Sequence, residues 1–248
     1  MVAVPARTDP LAPLLDLPGV SAAVAGAREA LVPVHNHTVN RRGWPATSAE
    51  AALRGARASA AIDGAPLLPA REEHVSDPVL AGAVRVADEA GRLLATWKTA
   101  PLQALARLHV LAATDLVEDS QTLGRPREGT SARLSLLADL ATGGTSVPAP
   151  VLVAVVHGEL LALRPFGTAD GVVARAAARL VAVATGYDPR SLAVPEVGHL
   201  RRAAEYRAAA AGFAGGTEEG LRAWIVHCCA AWETGAREGM TIAEARNV

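Results

Sequence analysis

The stretch Pro150-Val-Leu-Val-Ala-Val-Val-His157-Gly-Glu159-Leu-Leu-Ala-Leu163 decides the fold. It is apolar on nearly every face, with only His157 and Glu159 polar. A helix that is apolar all round belongs at the centre of a bundle. Directly after it comes the polar loop Arg164-Pro-Phe-Gly-Thr-Ala169, and then Asp170-Gly-Val-Val-Ala-Arg175, which opens another helix. A glycine-containing loop that runs into a helix N-terminus aims free N–H groups at one point, where an anion is welcome. Arg175, one turn into the following helix, can reach back to the same point.

Outward from this core the chain reads as all-α. Residues 1–17 are rich in proline and alanine and are expected to form a loose arm. A helix is expected from Ser21 to Val32, breaking near Pro33 before His35-Asn36-His37. Thr47 or Ser48 is expected to cap the next helix, which Gly64 and Pro66 end. Helices that open on Pro78 and Pro101 follow, since proline suits the first helical turn. The polar segment Glu118 to Gly129 interrupts them. A short helix at 131–141, the buried helix, a helix to Thr185, and two final helices at about 198–213 and 217–238 complete the chain. No repeat, heptad pattern or strand alternation is visible.

Composition agrees. Half of the 248 residues are apolar but only 3% are aromatic, an alanine-rich balance that favours close-packed helices. Twenty-four basic and 25 acidic residues nearly cancel, so there is no broad positive field for nucleic acid or anionic lipid. Lys98 is the only lysine, which excludes a lysine-containing phosphate loop and all but one candidate for Schiff-base chemistry. Cys228 and Cys229 are helical neighbours about 100° apart, so they read as small core residues in a reducing compartment. The chain carries no secretory signal pattern and no run long enough to span a bilayer, and is expected to be cytoplasmic, with no membrane partner.

Other candidates carry less. His35-Asn36-His37 lacks the three or four convergent ligands a metal needs and reads as an exposed helix end, so no metal site is expected. His109 and His227 lie in apolar helical runs and read as core or boundary residues. Trp97, Trp224 and Trp232 are expected to pack the bundle. Ala141-Thr-Gly-Gly-Thr-Ser146 reads as a connector, and neither a dinucleotide-binding nor a nucleophile-elbow motif occurs.

The loop resembles the signature of Fic proteins, His-Pro-Phe-x-(Asp/Glu)-Gly-Asn-Gly-Arg-x-x-Arg, which sits between the same two helices. Pro165, Phe166, Gly171 and Arg175 match at their proper spacing, and His157 falls where the family often has a histidine. Ser59-Ala-Ala-Ile-Asp63-Gly64 is similar to the family's inhibitory-helix motif, with Asp for Glu, on a helix placed at 48–63. Gly124-Arg125-Pro126-Arg127 is similar to the Gly-x-x-Arg segment near the flap that holds the target side chain. The resemblance covers about residues 45–235 and implies a Fic-like all-α bundle around a central buried helix. An irregular flap at 118–129 and a motif loop at 164–175 lie within a domain of residues 45–240, preceded by an arm and helix at 1–44.

What the resemblance implies for function turns on its departures. The family's general base is histidine, and Arg164 stands in its place; a guanidinium stays protonated and cannot accept the proton. That assistance is worth on the order of 10²–10⁴ in rate. Thr168 replaces the acidic magnesium ligand and is a poor ligand for a hard cation. Ala169 replaces the first loop glycine, and Val172 replaces the first motif arginine. Asp170 replaces asparagine, and its charge opposes a phosphate by roughly 4 kcal/mol at about 4 Å and an effective dielectric near 20. The expected catalytic set is therefore none by standard chemistry, with Asp170 and His157 as alternative bases. Phe166, Ala169, Asp170, Gly171 and Arg175 are the candidate ligand-binding residues, for ATP or another nucleotide, with magnesium poorly served. Asp63 is expected within about 4 Å of Arg175. The leading expectation is a binding or regulatory module that takes a nucleotide-like ligand or is plugged by Asp63 and Asp170. An altered nucleotidyl- or phosphotransferase acting on a protein target's hydroxyl, and a structural interaction protein, stand beside it.

Overall fold

The structure, a computed structural model, describes residues 9–67 and 76–246. Eleven α-helices and no strand occur among the described residues. They are α1 (Val20–Asn36), α2 (Thr38–Arg42), α3 (Trp44–Ile62), α4 (Pro78–Thr99), α5 (Pro101–Ala113), α6 (Ser131–Asp139), α7 (Ala149–Leu163), α8 (Asp170–Ala184), α9 (Pro195–Arg201), α10 (Ala203–Ala214) and α11 (Glu218–Ala245).

The all-apolar stretch becomes α7, and every residue from Pro150 to Gly158 is buried, as is Leu160. It packs most closely against α8, and α10 and α11 also lie on it. Gly158 permits the closest of these approaches: a Cβ there would stand 2.7 Å from Trp224 Nε1 and 2.8 Å from the Phe213 ring. The Trp224 indole N–H donates to the carbonyl of Ala154 at 2.7 Å, which satisfies a polar atom that burial would otherwise strand. Trp97, Trp224 and Trp232 are all buried in the bundle, and Cys228 and Cys229 are buried free thiols, as expected.

Local signals misplace several boundaries. Pro33 does not break α1, which continues to Asn36. Residues 198–213 are two helices, since Arg202 leaves helical geometry at φ −124° and ψ 43° between α9 and α10. The helix expected to start at Thr47 or Ser48 opens at Trp44 with Pro45 in its first turn. Thr47 is buried inside it and caps nothing.

Residues 1–8 of the proline-rich arm lie outside the described residues. The remainder is not loose. It forms a 3-10 turn over Ala12–Asp16, and Leu11, Leu14, Leu15 and Leu17 pack on the core. Asp9 anchors it by accepting from the Thr145 hydroxyl at 2.8 Å and the Ser146 N–H at 2.6 Å. These bonds hold the Asp9 carboxyl well below the usual carboxylate range. Helix α1 lies along α11 and shares the same hydrophobic core. No described helix is long and apolar enough to cross a membrane.

Candidate functional site

The loop between α7 and α8 is set by two left-handed residues. Arg164 ends α7 at φ 46° and Ala169 precedes α8 at φ 53°. An L-residue pays roughly 1–2 kcal/mol for this conformation, which glycine adopts freely. The loop geometry at Ala169 therefore keeps the demand that a glycine would meet. Between these points Phe166 is buried and stacks on His109, with ring centroids 4.3 Å apart and planes 5° from parallel. His109 Nδ1 in turn accepts from the Gly124 N–H at 2.9 Å, so one histidine joins flap and loop.

The flap is irregular, with a single 3-10 turn over Ser120–Thr122. Arg127 was expected to face a target side chain, but it is spent on the loop backbone. Its N–H donates to the Pro165 carbonyl at 2.7 Å, and its Nη2 donates to the carbonyls of Arg164 at 2.5 Å and Leu163 at 3.2 Å. These are among the carbonyls that the end of α7 leaves without helical partners, and a cation there also suits the helix dipole.

Asp170 opens α8 and turns back into the loop. Its Oδ1 accepts from the Phe166 N–H at 2.9 Å, and its Oδ2 has no protein partner although the residue is buried. Burial pushes its carboxyl up, against the backbone donors of Phe166 and Gly167 that pull it down.

Arg175 is 2% exposed and fully engaged. Its Nη2 pairs with Asp63 Oδ2 at 2.7 Å and donates to the Ser59 carbonyl at 3.0 Å. Its Nε donates to Ser59 Oγ at 2.8 Å, and its Nη1 donates to the Tyr206 hydroxyl at 3.2 Å. The contact expected between Asp63 and Arg175 is thus present. Asp63 follows the last residue of α3, and Gly64 beyond it takes φ 102°. Arg207 holds the same helix end by donating to the Ile62 carbonyl at 3.1 Å. Gly171 makes room for the carboxylate: a Cβ there would lie 2.5 Å from Asp63 Oδ2.

His157 stands behind Arg175. It is 2% exposed and shares a 2.9 Å hydrogen bond with the Tyr206 hydroxyl, which burial holds at a pKa of about 12. Burial, reinforced by Arg175, drives the His157 pKa well down. With Tyr206 accepting from Arg175, its own proton is free for a neutral His157. His199, His227 and Trp224 complete this buried cluster, with His199 and His227 joined at 3.1 Å. His157 therefore supports Tyr206 from within and does not line the open site.

A cavity of about 670 Å³ opens over the loop and is lined by Asp63, Arg164, Ala169, Asp170, Gly171 and Tyr206, with Arg207 beside them. Of the expected binding residues, Ala169, Asp170 and Gly171 border it; Phe166 and Arg175 do not. Tyr206 and Arg207 were missed, and the one signal for Tyr206 is its place as one of two tyrosines in the chain. His35, expected as part of an exposed helix end, is half-buried with its Nε2 2.9 Å from a carboxylate oxygen of Asp188. No group of three or more metal-ligating residues occurs among the described residues.

These elements define a class of protein: an all-α bundle around one buried helix, whose following loop is backed by a helix-borne acid–arginine pair. The chain has the Fic-like fold. It is similar to the crystal structure of a Fic family protein from Desulfovibrio desulfuricans G20, with a TM-score of 0.71 over 90% of this chain and 74% of that one. Identity is 18%, so the likeness is one of fold. No protein-family model matches the sequence, and no curated protein does.

Proposed function

We propose that this Fic-fold protein is a binding or regulatory module whose loop is closed by its own carboxylates, and that it does not carry out ordinary AMP transfer. The observation that carries this reading is the engagement of Arg175, the one motif arginine kept. All three of its guanidinium nitrogens already donate to Asp63, Ser59 and Tyr206.

A triphosphate with magnesium does not suit the loop as it stands. The Phe166 N–H is taken by Asp170, and the Asp63 carboxylate rests against Gly171. Either charge opposes a phosphate by a few kcal/mol (roughly 4 kcal/mol at about 4 Å and a dielectric near 20). Thr168, at the position of the family's acidic magnesium ligand, is a poor ligand for a hard cation. At the family's general-base position, Arg164 has no basic lone pair to offer.

One observation favours a second reading. Asp170 Oδ2 is buried without a partner beside the cavity, and burial raises its carboxyl pKa, as a general base requires. On that reading the protein is an altered transferase with Asp170 as base.

Incubation with radiolabelled ATP, alone and with a cell extract of candidate targets, separates the two. The regulatory reading expects no incorporation by wild type or Asp63→Gly. Incorporation by Asp63→Gly that disappears when Asp170→Asn is added would overturn it in favour of the second.

A further inference from the structure

A second opening is bordered by residues of α3 and α8. This cleft of about 310 Å³ runs between α3, α4 and α8 and is separate from the cavity over the loop. Its walls are small and apolar, with Ala52, Ala87, Ala90, Val86, Leu94 and Leu180 as examples. Trp44, one of the few large apolar side chains exposed among the described residues, also lines it, as does Arg190. At roughly 30 Å³ per small group, the space suits on the order of ten non-hydrogen atoms.

The charges in this lining are unequal. Its lining residues include Arg175, Arg179 and Arg190 but only one acidic residue, Glu196. Arg175 is matched by Asp63 from outside the cleft, and Arg179 by Glu196 at 3.0 Å. Arg179 also donates to Ala193 O and Ser191 Oγ, so its donors are largely spent. Arg190 differs. Its Nη1 donates to the carbonyls of His35 and Asn40, and it makes no ion pair among the described residues. An apolar trough with one lining arginine that has no ion pair among the described residues fits an apolar body with a single anionic head.

We propose that this cleft is a binding site for a small apolar monoanion, such as a medium-chain or aryl carboxylate, whose head meets Arg190 and whose body lies between α3 and α4. The inference goes beyond the reading of the loop and does not depend on it, because binding alone tests it. Ser59 and Arg175 also line the cleft, so a ligand bound there shares a wall with the Asp63–Arg175 pair.

Isothermal titration of the whole chain with sodium octanoate and with 1-octanol, its neutral match in size, is the test. Octanoate is expected to bind one site with a Kd on the order of 1 mM or tighter. Octanol is expected to bind about tenfold more weakly, the usual loss for one charge-assisted contact. Arg190→Gln should bring octanoate down to the octanol level. Ala52→Leu and Ala87→Leu, which fill the trough from α3 and α4 respectively, should each remove binding of both while the helical circular dichroism stays unchanged. Absence of octanoate binding in wild type, equal affinity for the two probes, or unaltered octanoate binding in both folded leucine variants would overturn the proposal.

Discussion

Asp63 and Arg175 lie 112 positions apart in sequence and 2.7 Å apart in space, one just past the end of α3 and the other within the second turn of α8. The arginine is almost wholly buried, whereas the Asp63 side chain is 27% exposed. Two consequences follow from this asymmetry and from Gly171 beneath the carboxylate.

Removing Asp63 leaves a buried guanidinium short of its counter-charge. Asp63→Ala is expected to cost about 1–3 kcal/mol, less than the 3–5 of a fully buried pair because water reaches this side. Gly171→Ala should also destabilise the wild type, since its Cβ would collide with the Asp63 carboxylate. In the Asp63→Ala background the second substitution should cost much less. Urea unfolding of the four-member mutant cycle measures this, and additive costs would mean that Asp63 does not rest on Gly171.

Ala169 holds a left-handed conformation at φ 53°. Ala169→Gly is expected to stabilise the protein by about 1 kcal/mol, or roughly 2–4 °C in Tm for a chain of this size. A lower Tm would show that the alanine methyl contributes more by packing than its backbone costs.

The Arg127 side chain ties the flap to the end of α7 through the carbonyls of Leu163 and Arg164. Arg127 is exposed, so water can replace its donors, and Arg127→Ala should lower stability by only about 0.5–1.5 kcal/mol. It should also speed amide exchange across residues 118–129 while leaving α7 and α8 protected. Unchanged exchange in the flap would mean that the His109–Gly124 bond and the Arg127 N–H to Pro165 bond suffice.

His157, His199 and His227 are buried neutral, with the last held at about 4. Each folded pKa lies below the unfolded value near 6.5, so the unfolded chain binds more protons between the two. Stability from these groups is complete above about pH 6.5 and is lost as pH falls through that value towards the folded pKa. The slope is at most about 1.4 kcal/mol per pH unit for each histidine. Asp170 works in the opposite sense, because its folded pKa is raised. Tm measured from pH 7 to pH 4.5 should therefore fall, and His227→Gln should flatten the decline. A Tm independent of pH over that window would contradict the buried-neutral assignment.

Much of this was legible in the sequence where the signal is local or spaced along one helix. The uniform apolarity of residues 150–163 marks the central helix, and the Asp63–Arg175 contact follows from the resemblance of Ser59–Gly64 to the family's inhibitory-helix motif. The splitting of α9 from α10 at Arg202 was not legible, since no glycine or proline marks it. Pro33 misled for the opposite reason: its punctuation is outweighed by the burial of Val24, Ala27, Leu31 and Val34 along one face of α1. Tyr206 could not be placed at Arg175 because only tertiary packing brings α10 there. The motif reading puts Arg127 near the flap, and its bonds to the end of α7 were not legible, since that helix end's need for donors does not appear in a motif.

On the proposed reading, Asp63 and Asp170 close the loop against anions. Thermal shift with ATP, with and without magnesium, on wild type and on Asp63→Gly/Asp170→Asn tests it most directly. Wild type should not shift. The double variant should gain up to about 2.7 kcal/mol of ligand stabilisation at 100 times its Kd, several degrees for a domain of this size. A shift in wild type as large as in the double variant would contradict the account.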